Sequence, residues 1–286
     1  MVHRKTKHPP LRCPMYFITL SRKMGANGSE IARRVAQELH CNLYDTEAIE
    51  HRAREMGFLK DVQDIDEKVP SLFQRIFSSR PQAHLNRLMA VIYELASQGN
   101  ALFLGRGSHL LLREFPCAMH VRVTASLGKR IGNMEERGLR REEAIRVLQR
   151  IDHERAAFIK FAFGADWDNP ELYDVVLNMD HLSIPLAADI VINMATSDAM
   201  KSRSMDAMQS LGMMSLARRA EAALVEAGFA PPYVSVFVVE PSKIRLTGTV
   251  GVPHEKTDAG RAVAGVQGIT FVDNQIQIAT AFTKED

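Results

Sequence analysis

Hydrophobic and polar positions follow two different rhythms along this chain. In the first, short apolar runs rich in β-formers alternate with longer helical patterns. "MYFITLS" (15–21), "NALFLG" (100–105) and "AMHVRV" (118–123) have the length and flanks of buried parallel strands, and "YDVVLN" (173–178) is a fourth. A shorter run, "NLY", precedes Asp45. Helical periodicity predicts helices at 29–40 and 46–57, a long stretch broken near Pro70 and Pro81 that runs to Gly99, and then 126–137, 141–163 and 184–195. Strands alternating with helices imply right-handed crossovers and an α/β sandwich whose ligands bind at the carboxyl ends of the strands.

After about residue 197 the texture changes. "ATSDAMKSRSMDAMQSLGMMS" is rich in methionine and small polar residues and reads as a helical connector, with a linker expected at 198–211. The second rhythm begins at 212. A helix ("SLARRAEAALVEAG") leads through "FAPP" to two alternating strands, "YVSVFVVE" and "KIRLTGTVG", then a short helix around "HEKTDAGRAVAGV" and a last strand, "TFVDNQIQIA". The order αββαβ predicts a small α+β module, at 212–280, that folds separately.

Composition narrows the classes. The 286 residues are 46% hydrophobic, enough for one large domain and one small one. Lys and Arg number 36 against 34 Asp and Glu, which gives no basic excess of the kind a nucleic-acid binder carries, so no nucleic-acid partner is expected. Cys13, Cys41 and Cys117 are widely spaced and include no CxxC pair, so reduced thiols are expected rather than a disulfide framework or metal site. The segment 1–14 reads as a disordered tail. The apolar run after it is too short for a signal peptide, and no stretch reaches membrane-spanning length, so a soluble cytoplasmic protein is expected.

The candidate chemistry starts at "FITLSRKMGANGSEIARRV" (17–35). A strand that ends in a glycine turn and opens a helix points several backbone amides at one place, which binds an anion without a charged side chain. The candidate anion ligands are Gly25, Asn27, Gly28 and Ser29. Against the standard GxxxxGK[ST] pattern, Arg22 falls at the first glycine and Gly28 at the lysine, so the turn reads either as a phosphate loop or as an ordinary strand-to-helix turn. Arg22 and Lys23 either supply the lost charge or lie in solvent. Farther along, "LFLGRGSHLLL" puts Arg106 between two glycines, where its guanidinium is expected to be exposed at the active edge of the sheet. Asp152 and Arg155 are three apart on one helix and are expected to share a face, as a surface ion pair or as ligands.

"ITLSRKMGANGSEIA", "YDTEAI", "LGRGSHLLL", "HVRVTASLGKRI", "RIDHERAAFIKFAFGADWDNPELYDVVLN" and "LSI" stand in an order that resembles the cytidylate kinase-like family, a branch of the P-loop nucleoside monophosphate kinases. In that branch the loop follows an "SR" pair and lacks the ordinary lysine. The resemblance runs from 15 to about 195, within an expected domain of 15–197, and implies an α/β P-loop kinase-like fold, a parallel sheet flanked by helices. "LTGTV" and "VQGITFVDNQI" in the tail resemble a BON module, which is elsewhere associated with envelope proteins and phospholipid contact; membrane or lipid contact is not the expected role here.

The resemblance implies ATP and magnesium as cofactors, nucleotides as partners, and phosphorylation of CMP or dCMP. It implies that Arg22 replaces the lysine, that the loop amides and Ser29 hold the donor, and that Asp45, Arg106, Asp152 and Arg155 contact the acceptor. Arg22, Arg106 and Arg155 are then the expected catalytic set. A lid is expected through "EERGLRREEA", with Arg130, Arg137, Arg140, Arg141, Arg150 and Lys160 around it. The chain departs from the classical pattern at His51 and Leu148, where acceptor-binding arginines are usual, and at Glu30, on the magnesium side; Arg52 and Arg150 are candidate substitutes. The rival reading is a nucleotide sensor coupled to the tail without catalysis. Trp167 is read as the anchor of a turn, and the methionines between Met194 and Met214 as packing residues or an adaptable interface.

Overall fold

The computed structural model describes residues 17–58, 81–201, 207–229 and 233–279. Tail residues 1–14, Met15 and Tyr16, Cys13, and the helical pattern around Pro70 lie outside them.

The first unit is built on five strands, β1 (Phe17–Arg22), β2 (Asn42–Tyr44), β3 (Ala101–Leu104), β4 (Ala118–Thr124) and β5 (Val175–Asn178), in the order β2-β3-β1-β4-β5. All pairs are parallel, so every strand ends on the same edge. Helices α1 (Gly28–Glu38), α2 (Thr46–Glu55), α3 (Pro81–Ala96), α4 (Ser108–Leu111), α5 (Leu127–Glu135), α6 (Arg141–Phe163) and α7 (Ile184–Ala195) follow in turn.

Burial on both faces explains the nearly unbroken apolar strands. Phe17 and Phe103 face a core with Leu88, Ile92, Phe158 and Trp167, whereas Ile18, Leu20, Leu102 and Val121 face Ile31, Val35 and Val191 on the opposite side. β5 starts at Val175 rather than Tyr173 because the Tyr173 hydroxyl is drawn to the Trp167 carbonyl and Asp174 accepts from the His120 amide. The short helix α4 was not expected; it follows three consecutive residues in the left-handed region, Gly105, Arg106 and Gly107.

The expected linker contains a helical turn, α8 (Asp198–Lys201), and the start of α9 (Ala207–Glu226). β6 (Val234–Glu240) and β7 (Lys243–Val250) form the expected antiparallel pair, α10 (Pro253–Ala264) follows, and β8 (Phe271–Asn274) adds to β7 in parallel. The expected last strand is two pieces. Gln275 donates to the Leu246 carbonyl and Ile276 turns into the core, so β9 (Gln277–Ile278) pairs with β7 farther along, from Thr249. Leu216, Ala220 and Leu224 of α9 pack on Ile244, Leu246, Ala259 and Val263. The same helix packs on α3, where Ser215 donates to the Ala90 carbonyl at 3.0 Å and Arg87 pairs with Glu226 at 2.5 Å.

Among the described residues no helix is long and apolar enough to cross a membrane. The Cys41 and Cys117 thiols are free, and burial raises both pKa values, Cys41 to about 11, which leaves them unreactive near neutrality.

Buried His120 sits 2.8 Å from the Thr19 hydroxyl. Burial is the largest influence on its pKa and lowers it below the ordinary 6.5, against the opposing field of Asp174 and with help from Arg113. The unfolded chain therefore binds the extra proton first. His120 adds stability that is complete above the ordinary value and is lost as pH falls through the lower folded value. Urea melts at pH 5 and pH 7.5 should show a loss on acidification that is smaller in His120→Asn; equal losses in both proteins would assign it to other groups.

Candidate functional site

The loop after β1 is held in place by its surroundings. The Lys23 amide still pairs with the Val123 carbonyl at 3.0 Å, after which Gly25 (φ 77°) and Asn27 (φ 60°) turn the chain into α1. Gly25 is required for close approach, because a Cβ there would lie 3.0 Å from both the Arg130 carbonyl and Leu148 Cδ2. The Met24 amide donates to Asp152 at 2.8 Å, Arg130 donates to the Met24 carbonyl, and Asn133 donates to the Gly25 carbonyl. Asn27 caps α1 only by position, since its side chain makes no cap bond and accepts from Arg137 at 2.7 Å instead.

The Ala26 and Glu30 amides bond within the turn. The amides of Gly25, Asn27, Gly28 and Ser29 make no hydrogen bond to any described residue, although Gly25 and Gly28 are buried. Four such donors grouped at a helix N-terminus are the arrangement that suits an anion.

Arg22 does not turn out to solvent. Its stem lies beneath Gly28, where an added Cβ would meet Arg22 Cβ at 2.6 Å, and its guanidinium extends to the Leu104 carbonyl at 3.5 Å. It is therefore packed between the loop and the end of β3. Arg155 is buried and donates to the Arg22 carbonyl at 2.9 Å. A small cavity at the ends of β1 and β3 is lined by Ser21, Arg22, Gly105, Gly107, His109, Arg155, Ile159 and Trp167.

Several expected roles change. Arg106 is not exposed: it is fully buried, and partly buried Glu50 of α2, 3.7 Å away, supplies the counter-charge that a structural arginine requires. Asp152 is not paired with Arg155; it bridges the Met24 amide and Arg130, at 2.5 Å, and so fixes the loop. Asp45 caps α2 through the Ala48 amide. Glu30 is held by Arg137 at 2.9 Å, and the hydroxyl next to Gly28 belongs to Ser29, so the magnesium-side position falls on Ser29 rather than on Glu30.

The expected lid is the short turn between α5 and α6. Arg130 is buried at its base, Arg137 reaches across the loop, and Arg140 and Arg141 are exposed, the latter 3.7 Å from Glu135. Arg150 lies 3.9 Å from Glu154, and Lys160 donates to the Gly164 carbonyl at the end of α6. His51 is exposed, 3.8 Å from Glu55. Arg52, a candidate substitute, is bound to Glu55 and Glu94; the Glu55 bond, the largest influence on it, raises its pKa further. Leu148 fills the space behind Gly25.

Sequence reasoning missed a second layer. Arg122 of β4 is buried, stacks on Trp167 at 4.1 Å, donates to the Tyr173 hydroxyl at 3.0 Å and pairs with Asp168, which also holds Lys23 at 3.2 Å. Trp167 donates to Ser21 at 2.8 Å, confirming it as an anchor, and His109 stacks on Tyr173. The available signal was an arginine inside an otherwise apolar strand, "HVRV".

A family model described as "Cytidylate kinase-like family" matches residues 17–181, more than half of the chain and all five parallel strands. The chain belongs to the cytidylate kinase-like family. Membership and the parallel sheet establish a P-loop kinase-like, nucleotide-binding fold for the first unit. The C-terminal sheet lies beyond the match. Among solved structures, an uncharacterised protein from Eubacterium ventriosum ATCC 27560 is similar at 17% identity and TM-score 0.52, over 64% of this chain and 99% of that one. A shikimate kinase from Bacteroides thetaiotaomicron aligns at 15% identity and TM-score 0.40, over 63% and 98%; a deoxyadenosine kinase from M. mycoides with bound dATP aligns at 12% and 0.36, over 63% and 100%. No curated protein matches the cytidylate kinase-like chain.

Proposed function

We propose that this chain transfers the terminal phosphoryl group of ATP to a pyrimidine nucleoside monophosphate, CMP or dCMP. The observation that supports it most is the set of four amides, at Gly25, Asn27, Gly28 and Ser29, left without partners in a loop that Asp152, Arg130, Asn133 and Arg137 hold in place. Phosphoryl transfer needs positioning and positive potential more than covalent chemistry, and preset amides supply part of both.

In this reading the amides bind the donor phosphates, and the Ser29 hydroxyl would help to hold a magnesium ion that arrives with them. Magnesium, when bound, would offset the negative charge that builds on the departing nucleoside diphosphate. Arg22 and Arg155 border the cavity beside the loop and provide positive charge there. Arg106 and Asp152 act as positioning residues, the first through α2 and the second through Met24. Arg137 closes the turn between α5 and α6 over Asn27, with exposed Arg140 and Arg141 beside it.

We assign 15–197 to the kinase-like domain, 198–211 to a linker and 212–280 to a BON-like module, in a cytoplasmic protein without nucleic-acid partners. The αββαβ order and the resemblance of "LTGTV" and "VQGITFVDNQI" support the module.

Purified protein with ATP and magnesium should convert CMP or dCMP in a coupled assay faster than AMP, GMP or UMP. A second reading, a nucleotide sensor without turnover, is favoured by one observation: Asp152, expected on the acceptor, and Arg130, expected at the lid, are engaged with each other and with the loop. Calorimetric binding without turnover would select it, and failure to bind any nucleotide would defeat both.

A further inference from the structure

We infer that Lys23 and Arg122 form a phosphate subsite beside the loop, and that the Asp168 carboxylate occupies it until a nucleotide arrives. The inference rests on the proposed nucleotide binding and names a residue pair that the P-loop pattern does not contain.

The placement follows from strand geometry. Side chains alternate along β1, so Ser21 and Lys23 project to one face of the sheet and Arg22 to the other, beneath Gly28. On the Lys23 face stands Arg122 from the neighbouring strand, held flat against Trp167 and fixed by Tyr173. One carboxylate serves both cations: Asp168 accepts from Arg122 and lies 3.2 Å from Lys23. Two positive groups, one of them almost fully buried, thus share a single negative charge at the edge of the sheet that carries the loop amides.

The two sides of this contact differ in permanence. The Arg122 side chain is 4% exposed and packed among aromatic rings, whereas Asp168 is 57% exposed and Lys23 26%. Burial makes Arg122 dependent on a counter-charge, but the carboxylate that supplies it is open to solvent and can be exchanged for an anion that meets the same need better. A phosphate group carries more charge and more acceptor oxygens than a carboxylate and suits a fixed guanidinium beside a flexible ammonium.

The segment that carries Asp168 is anchored without it. Trp167 donates to Ser21, the Tyr173 hydroxyl donates to the Trp167 carbonyl, and the Asp168 and Asn169 amides both bond to Asp166. Loss of the carboxylate charge leaves the strap in place and opens the subsite. Lys23 then stands two residues before Gly25 and supplies the charge that the loop itself lacks.

Calorimetric titration of the full chain with ATP, pyrophosphate and cytidine tests this. Asp168→Asn should bind ATP and pyrophosphate several-fold more tightly than wild type, Lys23→Ala several-fold more weakly, and cytidine should bind all three proteins alike. Thermal melting checks that each variant is folded. Equal or weaker ATP binding by folded Asp168→Asn, with wild type still binding, would overturn the subsite alone. Absence of ATP binding in every protein would overturn it together with the proposed function.

Discussion

Replacing Asp152 with alanine should lower both stability and nucleotide affinity, and more sharply than any other change in α6. Asp152 is a hinge point between three parts of the site: one oxygen accepts from the Met24 amide at 2.8 Å and the other from Arg130, which in turn donates to the Met24 carbonyl at 3.2 Å. Both members of the pair are largely buried, with side chains 10% and 18% exposed. Removing the carboxylate leaves a buried guanidinium without its counter-charge, a change that costs about 3 kcal/mol or more. The same substitution frees the Met24 amide and lets the loop relax, so the preset amides lose their common aim and nucleotide Kd rises roughly tenfold, equivalent to about 1.4 kcal/mol. Asp152→Asn keeps an acceptor for Met24 but not the charge, and should retain more affinity than stability. Urea denaturation and titration with a fluorescent nucleotide separate the two effects. A folded alanine variant with wild-type melting and wild-type Kd would remove Asp152 from the site.

The outline of the first unit was readable because a parallel sheet covered on both faces demands continuous apolar runs, and Phe17–Arg22, Ala101–Leu104 and Ala118–Thr124 supply them. Helix ends were readable where a local signal fixes them, as with Ser183 and Pro185 at the start of α7 and Gly164 at the end of α6. The partners of charged residues were not readable. Arg106 looked exposed because its neighbours in sequence are glycines, yet Glu50, the partner that allows its burial, comes from a helix more than fifty positions earlier. Asp152 looked paired with Arg155 by helical spacing, while its partners arrive from Met24 and Arg130. The last strand failed for a different reason. Alternation alone does not reveal that Asn274 is tied to the Lys256 carbonyl and that Ile276 turns inward, which breaks the strand after four residues.

Restoring the usual lysine should damage the loop rather than repair it. Gly28 occupies the lysine position of the standard pattern, and the residue at the first-glycine position is Arg22, whose stem fills the space that a side chain at 28 would need. A Cβ at Gly28 would stand 2.6 Å from Arg22 Cβ, 3.0 Å from its Cγ and 3.2 Å from Leu20 Cδ2. The first of these atoms is fixed to the strand, so relief requires the start of α1 to shift, at an overpacking cost of about 1–3 kcal/mol. Gly28→Lys should therefore melt earlier than wild type and bind ATP roughly tenfold more weakly, because the shift moves the amides of Gly28 and Ser29 out of register with that of Gly25. The arginine and the glycine are one steric solution, so the double variant Arg22→Gly, Gly28→Lys, which vacates the space, should recover much of the loss. Residues this close are expected to couple by about 0.5–3 kcal/mol in a double-mutant cycle. Additive losses across the cycle would mean that the absent lysine has another cause, and full activity in the single lysine variant would show that the loop tolerates the standard pattern without rearrangement.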